Sequence, residues 1–394
     1  MIFSLEALQA QKGDCLVLSW GKSASEVRHI VIDGGPDGIW EGSLSKRLAQ
    51  LRKSHAVPKG EALTIEMVMV SHIDDDHING VLGLFTALED AQPAVPYRIG
   101  TLWFNSFDDI VGNGPQELKS KLASLSAGVA AGKVASAAFS SGERGRHSAA
   151  ILASVGQGRD LRSKALGLKI LVNAGFKGLV MTQTKPVTVP LADDLKLHVI
   201  SPSLKRLTAL NDEWEKDVAK HPSDAKVAAF TDNSVANLSS IVVVAEFGGK
   251  TMLLTGDARG DDILAGLTSA GFINNPKKGK VHFDVLKMPH HGSNRDMTLD
   301  FLQRITADHY VISANGENTN PDADTIEWIA EARQGDSYLI HLTNEKMVDP
   351  AKKNFDVGKA VKDVLSAHKI QKQALFRPDS ALSLCVDLFD ALKL

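Results

Sequence analysis

Ser71-His72-Ile73-Asp74-Asp75-Asp76-His77 follows directly on the apolar run Glu66-Met67-Val68-Met69-Val70. Two histidines and three aspartates this close together make a poor core, because burying unpaired charge is costly. At the end of a strand, the same residues make a loop suited to wrapping a cation. Imidazole and carboxylate are ligands for zinc, manganese and iron. His72 and Asp74 share one side of an extended segment. Asp76 and His77, past a bend, face a second ion or the attacking water. Two more apolar runs end in the same way. Leu253-Leu254-Thr255-Gly256-Asp257 puts a carboxylate after a glycine that permits a tight turn. Leu286-Lys287-Met288-Pro289-His290-His291-Gly292-Ser293 puts two adjacent histidines there. Loop residues are often simply polar, so solvated loops are the competing reading. Three strand ends that each deliver His or Asp nevertheless read as one convergent site.

The rest of the chain sets the frame. Its 394 residues carry a net charge of −3, with 43% apolar and 23% charged residues, which excludes disorder, collagen and coiled coil. The length suits two or three domains, or one large domain with insertions. No run approaches the roughly 18 apolar residues of a membrane span, so no membrane partner is expected. The opening MIFSLEALQAQKGD has neither a basic region nor a long apolar one, unlike a signal peptide. Cys15 and Cys385 are too few for a disulfide framework or a thiolate zinc site, and a reducing cytoplasm is the expected location.

Strand candidates dominate the first third: CLVLSW, HIVIDGG, LTIEMVMV and IGTLWFNS. No consistent βαβ helix follows them and no GxGxxG opens one, which disfavours a dinucleotide fold. No GxSxG occurs, so a serine nucleophile is also disfavoured. QELKSKLASLSAGVAAGKVASAAF and SAAILASVGQGRDLRSKALGLKILV read as helices of an insertion at about 116–186. From Leu118 to Lys185, 11 Lys+Arg stand against Glu143 and Asp160, so a local +9 leaves −12 on the remainder. Strands return with LKLHVISPS, SSIVVVAEFGG and KTMLLTGDA, the last two joined by a Gly248-Gly249 hairpin signal. Helix-like DDILAGLTSAG and VGKAVKDVLSAHKI flank further strands, HFDVLKMP, HYVISANGE and SYLIHLT. No internal repeat is visible.

Taken in order, these motifs resemble the metallo-β-lactamase superfamily. They are most similar to the branch that includes the nuclease-like domain of the competence protein ComEC. The motifs are Gly13-Asp14, Ile32-Asp33-Gly34-Gly35, His72/Asp74/Asp76/His77, Asn237/Ser240, Leu253 to Asp257 and His290 to Ser293. The resemblance implies an α/β fold, an αββα sandwich with metals at one edge between the sheets. It covers residues 13 to about 316 and says little about 105–185 or the last sixty; the expected organisation is a hydrolase domain over 1–334, containing the basic helical insertion, and a C-terminal extension over 335–394 packed on the core. The resemblance also implies two divalent ions, zinc or manganese. His72 and Asp74 resemble ligands of the first ion. Asp76, His77 and His291 resemble ligands of the second, and Asp257 the bridging carboxylate. Asp76 also resembles the group that orients the water, and His290 a neighbour that contacts the substrate or leaving group. The choice between the two histidines stays open. Where the superfamily commonly has a third histidine for the first ion this chain has none in place, and that site is expected to be weak. His147 in the loop SSGERGRH and Asn237 are candidates to fill it; His198, inside LKLHVISPS, reads as a half-buried strand residue.

The expected function is metal-dependent cleavage of phosphodiesters, most naturally in nucleic acid. Arg144, Arg146 and His147, with Ser293 and Asn237, are the candidate substrate contacts. The basic segment suits a phosphate backbone, against the even alternative of lysine-studded solvated helices. Aromatics are sparse there, only Phe139 and Phe176, so base stacking has little support. Lys287 reads as a strand-face residue, Trp103, Phe104 and Phe107 as core or pocket wall, and Cys15 as a small buried residue. Other hydrolases of esters, lactones or phosphocholine compounds, and a binding subunit with a degraded site, are the alternatives. An oligomer or a partner protein is left open.

Overall fold

The computed structural model describes residues 1–106, 156–183, 185–207 and 239–392. The first half opens with an antiparallel meander of β1 (Ile2–Leu8), β2 (Leu16–Gly21) and β3 (Arg28–Ile32). Helix α1 (Ser45–Ser54) and the short β4 (Leu63–Ile65) lead to β5 (Met67–Met69). Helix α2 (Asp75–Asp90) and β6 (Tyr97–Ile99) lead to β7 (Thr101–Trp103), and β8 (Leu171–Val172) ends the row. Strands β3, β5, β7 and β8 run parallel.

The second half follows the same plan. Strands β9 (Val187–Pro190), β10 (Lys196–Ser201), β11 (Val242–Phe247) and β12 (Lys250–Leu254) pair antiparallel. Parallel strands then alternate with helices: α3 (Gly260–Ser269), β13 (Val281–Lys287), α4 (Leu299–Arg304), β14 (Ile305–Ile312), α5 (Ala323–Ala332) and β15 (Leu339–Leu342). A small pair, β16 (Val348–Asp349) and β17 (Phe355–Asp356), precedes α6 (Val357–Ala367) and β18 (Ala374–Phe376). The last strand, β19 (Ser383–Asp387), returns to the first sheet and pairs with β1. Residues 335–392 are thus built into both sheets.

The two sheets pack face to face. Ile30, Ile32, Met67, Met69 and Trp103 of the first meet Val243, Met252, Leu254, Val285 and Val311 of the second. The alternate residues face outward and are buried too. Val31 and Val68 pack under Leu48, Leu51, Ile78, Val81 and Phe85 of α1 and α2. Leu253, Leu286 and Tyr310 pack under Ile263, Leu267, Phe301, Ile329 and Val361 of the second helical layer. Strands buried on both faces are continuously apolar rather than alternating, and that is why VVVAEF and TMLL read as plain apolar runs. The arrangement is the αββα sandwich that the resemblance implies.

Two expectations change. The first third does contain βαβ crossovers, β3-α1-β5 and β5-α2-β7. They hide in the sequence because β5 and β7 are three residues long and α2 opens with Asp75-Asp76-His77, which looks like loop. The apolar face of α2 is Ile78, Val81, Leu84, Phe85 and Leu88, a helical spacing that Gly80 and Gly83 dilute. The helix expected through Val172 stops at 167; Lys169 adopts a left-handed φ of 59° and Leu171–Val172 become β8. Lys287 does sit on strand β13, but its charge is fully buried. Among the described residues, no helix is long and apolar enough to cross a membrane.

Candidate metal centre

The site lies where the strand ends of the two halves meet. Beyond β5, the Ser71 backbone N–H donates to Asp33 Oδ1 at 2.7 Å, and the Ser71 hydroxyl donates to Asp33 Oδ2 at 2.7 Å. With its proton committed, that hydroxyl accepts from His72 Nδ1 at 3.1 Å. His77 Nδ1 donates to Asp33 Oδ2 at 2.9 Å. One carboxylate therefore fixes the ring of His77 directly and that of His72 through Ser71. Both Nε2 atoms are left with a lone pair facing inward, as metal-binding histidines require. His77 sits in the first turn of α2, whose N–H groups at His77 and Ile78 donate to Asp74 O at 2.9 and 3.0 Å.

Close backbone contact sets this loop in place. A Cβ on Gly80 would lie 2.0 Å from Gly34 O, and a Cβ on Gly13 1.9 Å from Asp76 O. Only glycine lets the Asp33 turn and the Gly13-Asp14 loop approach α2 this closely.

The second half supplies Asp257 after Gly256, and His290 and His291 from the turn Pro289–Gly292. His290 and His291 are both left-handed, with φ of 45° and 55°. Each costs a non-glycine residue about 1–2 kcal/mol. The strained turn aims both rings at Asp257. His290 Nε2 lies 3.7 Å from Asp257 Oδ2 and His291 Nε2 lies 3.4 Å from it. His290 Nδ1 is paired with Asp296, and His291 Nδ1 donates to Ser313 O at 3.0 Å.

Asp257 joins the two halves. His77 Nε2 is 3.4 Å from its Oδ1, and His72 Nε2 is 3.8 Å from its Oδ2. Asp74 Oδ2 is 3.5 Å from His72 Nε2; Asp76 is 4.0 Å from His77 Nε2 and 3.7 Å from His291 Nε2. With Zn–N bonds of about 2.0–2.1 Å, two donors on one tetrahedral ion lie roughly 3.4 Å apart. The observed spacings match that scale. The Nε2 atoms of His72, His77 and His291, Asp74 Oδ1 and Asp257 Oδ1 are buried without a hydrogen-bond partner. Buried polar atoms are rarely left so, and together they fit divalent cations. His72, His77 and Asp257 form one group able to hold an ion, and Asp76, His77 and His291 another.

The charges agree. Burial works to raise the Asp257 pKa, but His291, His77 and His290 around it hold it well below the ordinary carboxylate value. Burial opposes protonation of His291, yet Asp257 and Asp14 beside it push its pKa up to about 10. His77 is raised likewise, by Asp257 and Asp33 against burial. The carboxylates demand positive charge here.

His72, His77, His291 and Asp257 form the floor. Asp74, Asp76 and His290 keep 22%, 23% and 28% of their side chains exposed and form the mouth. A cleft of about 230 Å³ adjoins it at Asp296, lined also by Arg259, Arg295, Met297 and Phe301.

The sequence matches no family model, and no curated protein matches it. Among solved structures, it is similar to zinc-bound PqqB from Methylobacterium extorquens. That likeness has 13% identity and a TM-score of 0.41, over 98% of this chain and 100% of that one. A protein of unknown function from Enterococcus faecalis is similar at 11% identity and a TM-score of 0.29, over 87% of this chain and 70% of that one.

The other expected site residues divide. His72, Asp74, Asp76, His77, Asp257, His290 and His291 come together. Ser293 is buried beside the histidine turn, its N–H donating to His290 O at 2.9 Å. Arg144, Arg146, His147 and Asn237 lie outside the described residues, as does Phe107. His198 is a half-buried strand residue bonded to Thr188 and Glu246. Within the basic segment, Lys164 pairs with Glu89 and Arg162 stacks over Phe104, so these two act in packing. Gln157 donates to Asn79 at 2.7 Å, which docks the stretch at 156–167 on the start of α2. Asp33, Ser71, Asp296, Ser313, Asp14 and Lys287 had no assigned role in the sequence. The signal for Asp14 and Asp33 was present, since each carboxylate adjoins glycine in a quoted motif.

Proposed function

We propose that the chain is a metal-dependent hydrolase that cleaves phosphodiester bonds in nucleic acid. The observation that carries this reading is the convergence of three buried, unpartnered histidine nitrogens and an unpartnered Asp257 oxygen on one space. Two divalent ions held there, zinc or manganese, would activate water and clamp the phosphoryl oxygens. His72, Asp74 and Asp257 are the residues for the first, and Asp76, His77, Asp257 and His291 for the second.

The chain's own groups have separable roles. Asp33 and Ser71 keep the Nδ1 protons of His77 and His72 away from the centre. Asp76, at the mouth, orients the attacking water and accepts its proton. His290, fixed through Nδ1 by Asp296, delivers a proton from Nε2 to the leaving oxygen. Asp261, Asp296 and Asp300 also line the adjoining cleft and Arg259 is paired with Asp261, which leaves Arg295 as the cleft's group for a phosphate flanking the scissile bond. An intact convergence of donors supports a working centre over a degraded one.

The test is cleavage of single- and double-stranded DNA and RNA with manganese, magnesium or zinc. Metal-dependent cleavage lost in Asp76→Ala and His77→Ala is the expected result. Unchanged cleavage by either variant overturns the site. Turnover of a lactone or ester, with none of nucleic acid, overturns the substrate.

A further inference from the structure

Beside His291 lies a buried charge pair that is not among the proposed metal ligands. Asp14 and Lys287 are 1% and 0% exposed and form a direct ion pair. Lys287 also donates to Met288 O at 3.0 Å. Asp14 Oδ1 lies 3.4 Å from His291 Nδ1. The loop that carries Asp14 is laced into the site from both halves. Its N–H donates to Asp76 O at 3.2 Å, and Ser313 Oγ donates to Gly13 O at 2.6 Å. Ser313 is the same residue whose carbonyl accepts the His291 Nδ1 proton.

Burying two charges costs several kcal/mol each, and well-packed apolar residues usually stabilise a core as well or better. A pair kept here calls for a reason beyond stability. Asp14 is close enough to join a cation-holding group with Asp257 and His291, or another with Asp33 and His77. A carboxylate left free at that spot would compete for the ion and change its coordination. Lys287 occupies it instead.

We propose that Asp14 and Lys287 are a positioning pair for the second ion: Lys287 holds Asp14 beside His291 Nδ1, where its charge reinforces the ring orientation set by Ser313 O, with Nε2 toward the ion. This rests on the metal-centre reading above and is independent of the substrate.

The test uses the full chain and the metal alone. Manganese and zinc are titrated by calorimetry into metal-free protein, with thermal melting of the same samples. In Asp14→Asn/Lys287→Met, the metal-free melting point stays near that of the parent. The second equivalent of metal binds roughly 10–100-fold more weakly, as when an outer-shell partner of a ligand is lost, and the first is unchanged. Asp14→Asn/Lys287→Gln, which also leaves no buried charge unpaired, gives the same weakening should the first double variant not fold. Lys287→Arg, which keeps the charge, retains most of the affinity. Two equivalents bound with parental affinity by either folded double variant overturn the proposal and leave the metal centre standing. A parent chain that binds no divalent ion overturns both.

Discussion

The two halves of the molecule share one plan and reach the metal centre differently. Each is an antiparallel meander continued by parallel strands with crossover helices. The first half delivers His72, Asp74, Asp76 and His77 from one strand end and the first turn of α2, backed by the single carboxylate of Asp33. The second delivers Asp257, His290 and His291 from two turns that pass through left-handed backbone, each histidine with its own backing group. A ligand cluster can thus be written into a few consecutive residues, or assembled from distant ones at the cost of strain. Asp257 is where the two solutions meet.

The largest effect is expected at that meeting point. Asp257→Asn removes the carboxylate that faces histidines of both halves, so metal content after dialysis falls for both ions and cleavage drops to background. Retention of one ion at parental affinity would show that the halves bind separately. Next comes the backing. Asp33→Asn touches two ring systems and should weaken metal binding about 10–100-fold. Asp296→Asn backs only His290, at the mouth, and should lower turnover while leaving metal stoichiometry intact. Equal metal loss in the two variants breaks the asymmetry.

Away from the centre, each half holds a histidine pair with one buried member. His29 Nε2 meets His55 Nε2 at 2.7 Å, and His309 Nδ1 meets His341 Nε2 at 3.0 Å. Burial first, then a neighbouring histidine, pulls His29 down to about 3 and His341 to about 4. The unfolded chain, with pKa near 6.5, binds more protons than the folded one between those values. The stability these residues contribute is therefore complete above about pH 6.5 and is lost as pH falls toward 3–4. Denaturant unfolding at pH 7 and 5 should show a slope flattened by roughly 1–2 kcal/mol in His29→Phe or His341→Phe. A slope identical to the parent contradicts this. The smallest effect is expected from Lys164→Gln, whose partly exposed pair with Glu89 contributes under about 1 kcal/mol. Nucleic-acid affinity within twofold of the parent agrees with its packing role, and a tenfold loss does not.

Much of the site was legible in the sequence because its chemistry is local. Two histidines and three aspartates beside an apolar strand announce a cation loop wherever they occur. The apolar runs likewise announced strands, whereas sheets covered on both faces came only from the resemblance. Less legible was whatever depends on distant partners. Helix α2 was masked by the same charged residues that make the site, and β5 and β7 are too short to signal a crossover. Lys287 reads only as a strand-face residue until Asp14, far away in sequence, is placed against it. The matching plan of the two halves left no repeat in the residues, because the shared feature is strand order.

The proposed pair of divalent ions would be shared by the two halves through Asp257. The most direct test is the metal content of the full chain, loaded with manganese or zinc and freed of excess by dialysis, beside Asp257→Asn treated identically. Two ions per parent chain and none firmly held by the variant are predicted. A parent that retains no metal, or a variant that keeps both ions, contradicts it.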